Sequence, residues 1–463
     1  MSDKEPKLHL SKIIITNDKE PIFNGGVLVE NLKIVRVGKK EDFGIDQYEI
    51  IDHGESLICP GFINLHTHLL YSNIVLLQSN VIARSNFVAT KQSPDASRNK
   101  IASSGLKPFL AMTPLGGLFP WLEKLVDITD AWSEKDYISS VNYGINEAIS
   151  TGTTYIIENT PSYLSAQELA KSPLKALIGL EVFGSDEKKT DEIFEKSVNS
   201  ILCISHSTLS PHAPYDVSSP LWKKLTAWSE KNNKPLLTHL EESLEEKKWW
   251  QEKSGDGINF WKKINKLDSK LKYWKKYDSG IDFLKRNNLL SKNIIAAHLC
   301  QASKVDLKIL KEQNISLVHC PRSNFYLNNG TANIKFWDEL GILWGIGTDS
   351  IASNENLDLL EEVRFAINQQ KLIYNYTIRA RDAFEAITLN SAKILKKDFE
   401  IGVLKEGACA DLLVYDIKKV KSLCTYNDPY QLLISEIDNK AHLKEVWING
   451  NKAWLREQVL NKI

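Results

Sequence analysis

Eight short apolar runs separated by amphipathic helical stretches predict an α/β chain folded as a (β/α)8 TIM barrel. Three observations carry that prediction. The runs number eight, helical patterns fill most of the intervals between them, and five runs end in histidine or aspartate. In such barrels chemistry sits at the C-terminal strand ends. Core packing gives no reason for polar side chains to gather at one end of so many buried strands.

Taken in order, residues 8–58 read as short strands with polar turns, at 8–16, 26–29, 32–37 and 48–52. The barrel runs follow at 61–66, 154–158, 176–181, 201–205, 235–239, 294–298, 316–319 and 343–349. Helices are expected at 136–150, 221–231, 306–313 and 357–368. Strand texture returns at 410–415 and 442–448, closed by the hairpin signal Asn449-Gly450. The expected division is 1–58 and 401–463 as β-rich ends around a barrel at 59–400.

Two segments exceed a minimal barrel. Residues 72–118 follow the first run and carry a polar stretch at 90–105; a loop of that length is commonly a lid or disordered. Residues 243–280 follow the fifth run and hold Trp249, Trp250, Phe260, Trp261, Tyr273, Trp274 and Tyr277 among lysines. Most of these rings are expected to pack peripheral helices. One or two, Trp249 foremost, are expected to wall a pocket.

Composition narrows the function. Lys+Arg and Asp+Glu are both 58 in 463 residues, so no charge excess points to nucleic acid or an anionic membrane. No apolar run reaches the ~18 residues of a spanning helix, and the polar N-terminus lacks a signal-peptide core. Six cysteines without C-x-x-C spacing read as buried free thiols in a reducing cytoplasm. The expected partner is a small molecule. Apolar helix faces on the barrel rim are compatible with a homodimer.

The chemistry starts at Cys59-Pro-Gly-Phe-Ile-Asn-Leu-His66-Thr-His68. On a strand, alternate side chains share a face, so both imidazoles point the same way and form half of a transition-metal site. A lone His-x-His more often just closes a strand. Here His239, His298, His319 and Asp349 end other runs, and Glu242 follows His239 by three. Glu241 reads as its solvated neighbour, and His206 as a surface or supporting histidine.

From Ser56 to Asp416 the chain resembles the amidohydrolase superfamily, in its single-metal deaminase branch. The resemblance rests on Pro60-Gly-Phe-Ile-Asn-Leu-His66-Thr-His68, Ser210-Pro-His212-Ala-Pro-Tyr215, Thr238-His239-Leu-Glu-Glu242-Ser, Ala297-His298, His319-Cys-Pro-Arg-Ser323-Asn324 and Gly347-Thr-Asp349-Ser. The tail Glu406-Gly-Ala-Cys-Ala-Asp411 resembles the segment where these chains re-enter a small β-sandwich built from both termini. The resemblance implies His66, His68, His239 and Asp349 as ligands of one divalent ion, Zn²⁺ first and Fe²⁺ next. The fourth run and its exit hold no lysine of the kind that bridges two metals. Glu242 is implied as the proton carrier, His298 as a partner of the attacking oxygen, and Asp349 as a second proton acceptor.

The motif around His212 resembles members acting on 5′-altered adenosines, with His212 near the sugar. Ser323, Asn324 and Trp249 are further substrate-side candidates, with shaping the strand-seven loop an equal reading for Ser323 and Asn324. Arg322, Arg84 and Arg98 are candidates for a substrate carboxylate, each reading better as a surface or packing arginine. The run from His239 to Trp249, with Trp274-Lys-Lys-Tyr-Asp-Ser-Gly downstream, looks most like aminofutalosine deaminases. The insertion at 72–118 departs from their pattern. The expected activity is hydrolytic release of ammonia from a 6-aminopurine nucleoside. Alternatives are deamination of S-adenosylhomocysteine or methylthioadenosine, hydrolysis of a triazine or other N-heterocycle, and a metal-binding barrel with a structural role only.

Overall fold

The computed structural model describes residues 5–44, 47–74, 116–272, 274–418, 420 and 428–456. Most of the 72–118 insertion, with Arg84 and Arg98, lies outside the described residues, as does Tyr273.

Sixteen described strands form two sheets. Eight parallel strands make the barrel: β6 (Phe62–Thr67), β7 (Thr153–Thr160), β8 (Lys175–Val182), β9 (Ser207–Pro211), β10 (Leu236–Leu240), β11 (Ile294–His298), β12 (Ser316–His319) and β13 (Trp344–Ile346). Each pairs with the next in chain order, as right-handed β/α crossovers require. The circle closes beyond β13, where Asp349 N–H donates to the His66 carbonyl at 2.9 Å. Thr348 N–H donates to Asn64 Oδ1 at 3.1 Å, and Asn64 Nδ2 to Thr348 Oγ1 at 2.7 Å. Gly347 permits this approach, since a Cβ there would sit 2.6 Å from His66 Cβ.

The fourth strand differs from its sequence expectation. Ile201 and Leu202 end the helix Thr190–Leu202, and the strand starts at Ser207. His206, at φ +52°, turns the chain between them at the strand's N-terminal end. Hydrophobicity pointed to the wrong segment because this strand is polar and satisfied internally. Ser207 Oγ donates to the Ile204 carbonyl at 2.7 Å, Ser210 Oγ to the Leu237 carbonyl at 3.0 Å, and Thr208 Oγ1 to the Pro235 carbonyl. Each hydroxyl thus recovers in the core the bond it gave up in water.

Both ends of the chain build the second sheet, which is mixed and eight-stranded. β1 (Lys7–Ile14), β2 (Ile22–Glu30), β3 (Lys33–Lys39), β4 (Glu49–Asp52) and β5 (Ser56–Pro60) come from the N-terminal part. β14 (Leu412–Asp416), β15 (Leu443–Ile448) and β16 (Asn451–Leu455) come from the C-terminal part. The halves join where β5 pairs antiparallel with β14. β5 runs on through Gly61 into β6, so the sheet is anchored at the root of the first barrel strand. Asp411 reinforces the joint through an ion pair with Lys175 at the start of β8. The five described cysteines are free, but only Cys59 and Cys320 are buried as expected; Cys300 and Cys409 are half-buried, and Cys203 is exposed because it follows the last turn of a peripheral helix.

The 243–280 insertion folds as short helices, Leu244–Glu252, Gly257–Lys263 and Leu267–Lys272, leading into Gly280–Arg286. Trp249, Trp250 and Trp261 are buried in the main core, packed against the barrel rim.

Candidate active site

The strand ends place three imidazoles together. His66 lies in β6, His68 just past it on the same face, and His239 in β10. His68 Nε2 is 3.3 Å from His66 Nε2 and 3.2 Å from His239 Nε2. Asp349 Oδ1 lies 3.7 Å from His66 Nε2 and 3.5 Å from His68 Nε2. A tetrahedral ion with bonds of about 2.0–2.1 Å separates its nitrogen ligands by about 3.3–3.4 Å. The donor spacing fits one small divalent cation. The exit of β9, Ser210-Pro-His-Ala-Pro-Tyr215, holds no lysine to bridge a second ion.

Surrounding groups prepare these donors. His239 Nδ1–H donates to the His212 carbonyl at 2.8 Å, which leaves the Nε2 lone pair free. Asn159 Nδ2 lies 3.0 Å from His66 Nδ1, and Asn159 Oδ1 accepts from Ser210 Oγ at 3.2 Å. Turned end for end, the same amide presents its oxygen to His66 Nδ1–H, and that tautomer leaves the Nε2 lone pair free. Burial, followed by neighbouring imidazoles, pushes the His66 and His239 pKa values well below the ordinary range. Neutral imidazoles are what a metal needs. Burial alone would raise Asp349, but His68 and His66 outweigh it and hold the carboxyl well below its usual range. Asp349 sits at φ +60°, held by its bond to the His66 carbonyl.

Glu242 and His298 flank this cluster. Both are buried, with Glu242 Oε2 3.8 Å from His298 Nε2. Asn329 Nδ2 donates to Glu242 Oε1 at 2.9 Å, leaving Oε2 toward the cavity. Burial raises the Glu242 pKa above the usual carboxylate value, against a lowering by His298. His298 Nδ1 donates to Asn324 Oδ1 at 2.8 Å, so Nε2 faces the site.

Several sequence-predicted residues take other places. Ser323 is fully buried and does not line the cavity; its hydroxyl donates to Asp349 Oδ2 at 2.5 Å, beside Ser353 Oγ at 3.1 Å. Asn324 Oδ1 accepts from His298 Nδ1 and so orients that ring. Trp249 lies against Trp261 with ring centroids 4.4 Å apart, and its carbonyl accepts from Trp274 Nε1 at 2.9 Å. It is a core ring that does not line the cavity holding Glu242 and His298. Glu241 is buried rather than solvated, accepting from Gly280 N–H at 2.6 Å. Arg322 is enclosed by Glu355, Glu361 and Glu362, so its charge is already paired. His319 is buried with both ring nitrogens unpartnered among the described residues.

His212 does line the cavity. Its Nδ1 is 2.6 Å from Asp216 Oδ2, and Asp216 pairs in turn with Lys270 from the insertion. Lys270 Nζ also donates to the Tyr215 carbonyl at 2.8 Å and lies 4.6 Å from the Trp261 ring centroid. Burial would lower the His212 pKa, but the bond to Asp216 raises it overall. The cavity measures about 690 Å³. Its floor is His68, His239, Glu242, His298 and Asp349, and its outer wall is apolar, with Phe119, Trp121, Leu122, Leu125, Phe260 and Ile264.

Sequence reasoning missed Glu158 and Glu181. Glu158, in β7, accepts from Thr67 Oγ1 at 2.8 Å and from Leu69 N–H at 2.9 Å, fixing the segment that carries His68. Glu181, in β8, lines the cavity. A signal existed, because the second and third apolar runs both end in glutamate, the same polar-end pattern that marked the histidines.

The amidohydrolase family model matches residues 57–453. A 5-methylthioadenosine/S-adenosylhomocysteine deaminase of Thermococcus sibiricus is 28% identical over 426 residues, 88% of this chain and 84% of the relative. The Bacillus cereus protein of that name is 25% identical over 458 residues, 95% of this chain and 91% of the relative. Among solved structures, a zinc-bound adenosine deaminase from Xanthomonas campestris superposes with a TM-score of 0.74 at 20% identity, covering 97% of this chain and 93% of that one. Helicobacter pylori aminofutalosine deaminase with methylthio-coformycin gives 0.74 at 22%, covering 96% and 99%. These two likenesses speak for the fold. Among the described residues no helix is long and apolar enough to cross a membrane. With a family match spanning the whole barrel and reaching into the terminal sheet, the chain belongs to the amidohydrolase family.

Proposed function

We propose that this chain is a metal-dependent hydrolytic deaminase that releases ammonia from the 6-amino group of an adenosine-type nucleoside. The observation that carries the reading is the gathering of His66, His68, His239 and Asp349 beside Glu242 and His298, all but His66 lining one cavity. Relatives named for methylthioadenosine and S-adenosylhomocysteine support the nucleoside class.

His66, His68, His239 and Asp349 would hold the ion, zinc first and iron(II) next. A divalent ion there supplies Lewis acidity that makes water a nucleophile near neutral pH. Glu242 Oε2 takes one proton of the attacking water and hands it to the ring nitrogen beside the reacting carbon; the second proton, from the hydroxyl then on that carbon, passes by way of Asp349 to the amine, which departs as ammonia. His298 Nε2 bonds the oxygen arriving at that carbon. Asn329 and Asn324 keep these two side chains aimed. The apolar outer wall receives a 5′ substituent that is apolar next to the ribose, a description that covers methylthioadenosine and aminofutalosine.

The test is ammonia release by metal-loaded protein from adenosine, methylthioadenosine, S-adenosylhomocysteine and aminofutalosine, with metal analysis alongside. Near one equivalent of metal and turnover of at least one 5′-substituted adenosine are expected, with activity lost to a strong chelator and regained on adding zinc. Turnover of an amino- or chlorotriazine with none on these nucleosides would refute the reading.

A further inference from the structure

We propose that Glu181 receives the vicinal ribose hydroxyls of the substrate, an inference that rests on the nucleoside reading above. Glu181 is the penultimate residue of β8, and its side chain is 5% exposed. It lines the cavity that holds Glu242 and His298. Its Oε1 is buried and has no hydrogen-bond partner among the described residues. The nearest charged-group approach is to His68 Nδ1 at 3.9 Å, too long for a hydrogen bond. Groups of Glu181, His212 and His239 come within 4.8 Å of one another, which puts the carboxylate beside the metal-ligand cluster, on the side away from Glu242 and His298 in strand order. A buried carboxylate oxygen left without a donor is costly, so this one calls for a donor arriving from the cavity.

A carboxylate only accepts hydrogen bonds. Adenine offers acceptors at its unprotonated ring nitrogens, and its one N–H donor group is the amine that leaves. That amine has to sit near Glu242. The donors that remain on an adenosine are the sugar hydroxyls, and the 2′ and 3′ pair stands side by side as the two oxygens of a carboxylate do. His212, at the exit of β9, lies between the Glu181 strand and the Glu242 strand. A purine lying across it with its amine toward Glu242 carries its ribose toward Glu181. Phe183, stacked on His212 with centroids 4.6 Å apart, closes the same wall with an apolar face.

The competing role for Glu181 is to orient His68, and the experiment separates the two. Metal-loaded wild type and Glu181→Gln are compared on adenosine, methylthioadenosine and 2′,3′-dideoxyadenosine, with metal per chain measured for both proteins. Wild type is expected to lose about tenfold or more in kcat/KM when the hydroxyls are removed. Glu181→Gln should lose a similar factor on adenosine and methylthioadenosine, chiefly in KM, change little on the dideoxy compound, and keep its metal. Equal losses on all three substrates, or lost metal, would assign Glu181 to His68 and overturn the proposal. So would a wild type indifferent to the hydroxyls. If wild type turned over neither adenosine nor any 5′-substituted adenosine, the nucleoside reading would fall and take this inference with it. Normal wild-type selectivity with an unaffected variant would sink the Glu181 inference alone.

Discussion

Replacing Glu242, the proposed proton carrier, by glutamine leaves its surroundings nearly intact. The residue is 4% exposed, and the Asn329 Nδ2 bond to Oε1 at 2.9 Å survives because an amide oxygen accepts it equally well. The backbone bond from Glu242 N–H to Glu246 Oε2 at 2.8 Å is untouched. Fold and metal content should therefore match wild type. What disappears is the acceptor at Oε2, 3.8 Å from His298 Nε2. General acid–base catalysis by a positioned side chain is worth about 10²–10⁴-fold, or roughly 3–5 kcal/mol of barrier. Asp349 does not replace it, since Oδ2 is engaged by Ser323 and Ser353 while Oδ1 faces the histidines. The loss should fall in kcat, with KM changed by less than about threefold, because a residue acting in the transition state contributes little to ground-state binding. The assay is initial-rate ammonia release from metal-loaded protein, with metal analysis and thermal melting as controls. Wild-type kcat in a variant that keeps its metal would refute the assignment. A fall in rate matched by a fall in metal content would show that Glu242 serves the metal instead.

Three other perturbations test the polar contacts around the site. Ser323→Ala removes the 2.5 Å bond to Asp349 Oδ2, and metal affinity by competition with a chelator should weaken about 10–100-fold; unchanged affinity would mean Ser353 alone suffices. Lys270→Met leaves Asp216 buried without its cation, which should cost roughly 3–5 kcal/mol in denaturant unfolding, and adding Asp216→Asn should recover much of it; additive losses would contradict a paired charge. Glu158 has its carboxyl pushed up to about 8, first by burial and against the Leu69 and Thr67 hydrogen bonds. Its folded pKa lies above the unfolded one, so the stability it contributes is complete below about pH 4.5 and is lost as pH rises toward 8. Glu158→Gln should flatten the fall in melting temperature across that window, and an unchanged slope would refute the argument.

Much of the site was legible because its polar residues interrupt apolar runs. His66, His68, His239 and His298 stand at strand ends where nothing apolar competes for attention, and an alternating strand fixes which face they share. Asp349 lies past the end of β13 and was still found, since Leu343–Ile346 points the chain at it. Polarity that folds inward is another matter. Ser207, Thr208 and Ser210 look like a loop to any hydrophobic scale, yet they are a buried strand because neighbouring carbonyls satisfy their hydroxyls. Ser323 and Asn324 were found as residues near the site, but the sequence does not state which way a turn aims its side chains. One aims at Asp349 and the other at His298.

The 243–280 insertion shows how a segment outside the barrel pattern still acts on the site. Its tryptophans invited a pocket-wall reading, and Trp249 and Trp261 turned out to pack on each other. Its contribution runs through Lys270, which no aromatic pattern would select. That lysine reaches Asp216 from the helix Leu267–Lys272, and Asp216 holds His212 Nδ1. The His212 carbonyl in turn accepts from His239 Nδ1, which fixes the tautomer of an imidazole in the proposed metal site. A buried lysine of the insertion is thus connected to the histidine cluster through three consecutive polar contacts. Deleting the Lys270 charge should therefore loosen metal binding as well as fold stability, and by more than Trp249→Phe, which preserves an aromatic core and touches none of the three contacts. Equal metal affinity in the two variants would show that the chain of contacts holds the insertion in place without tuning the site.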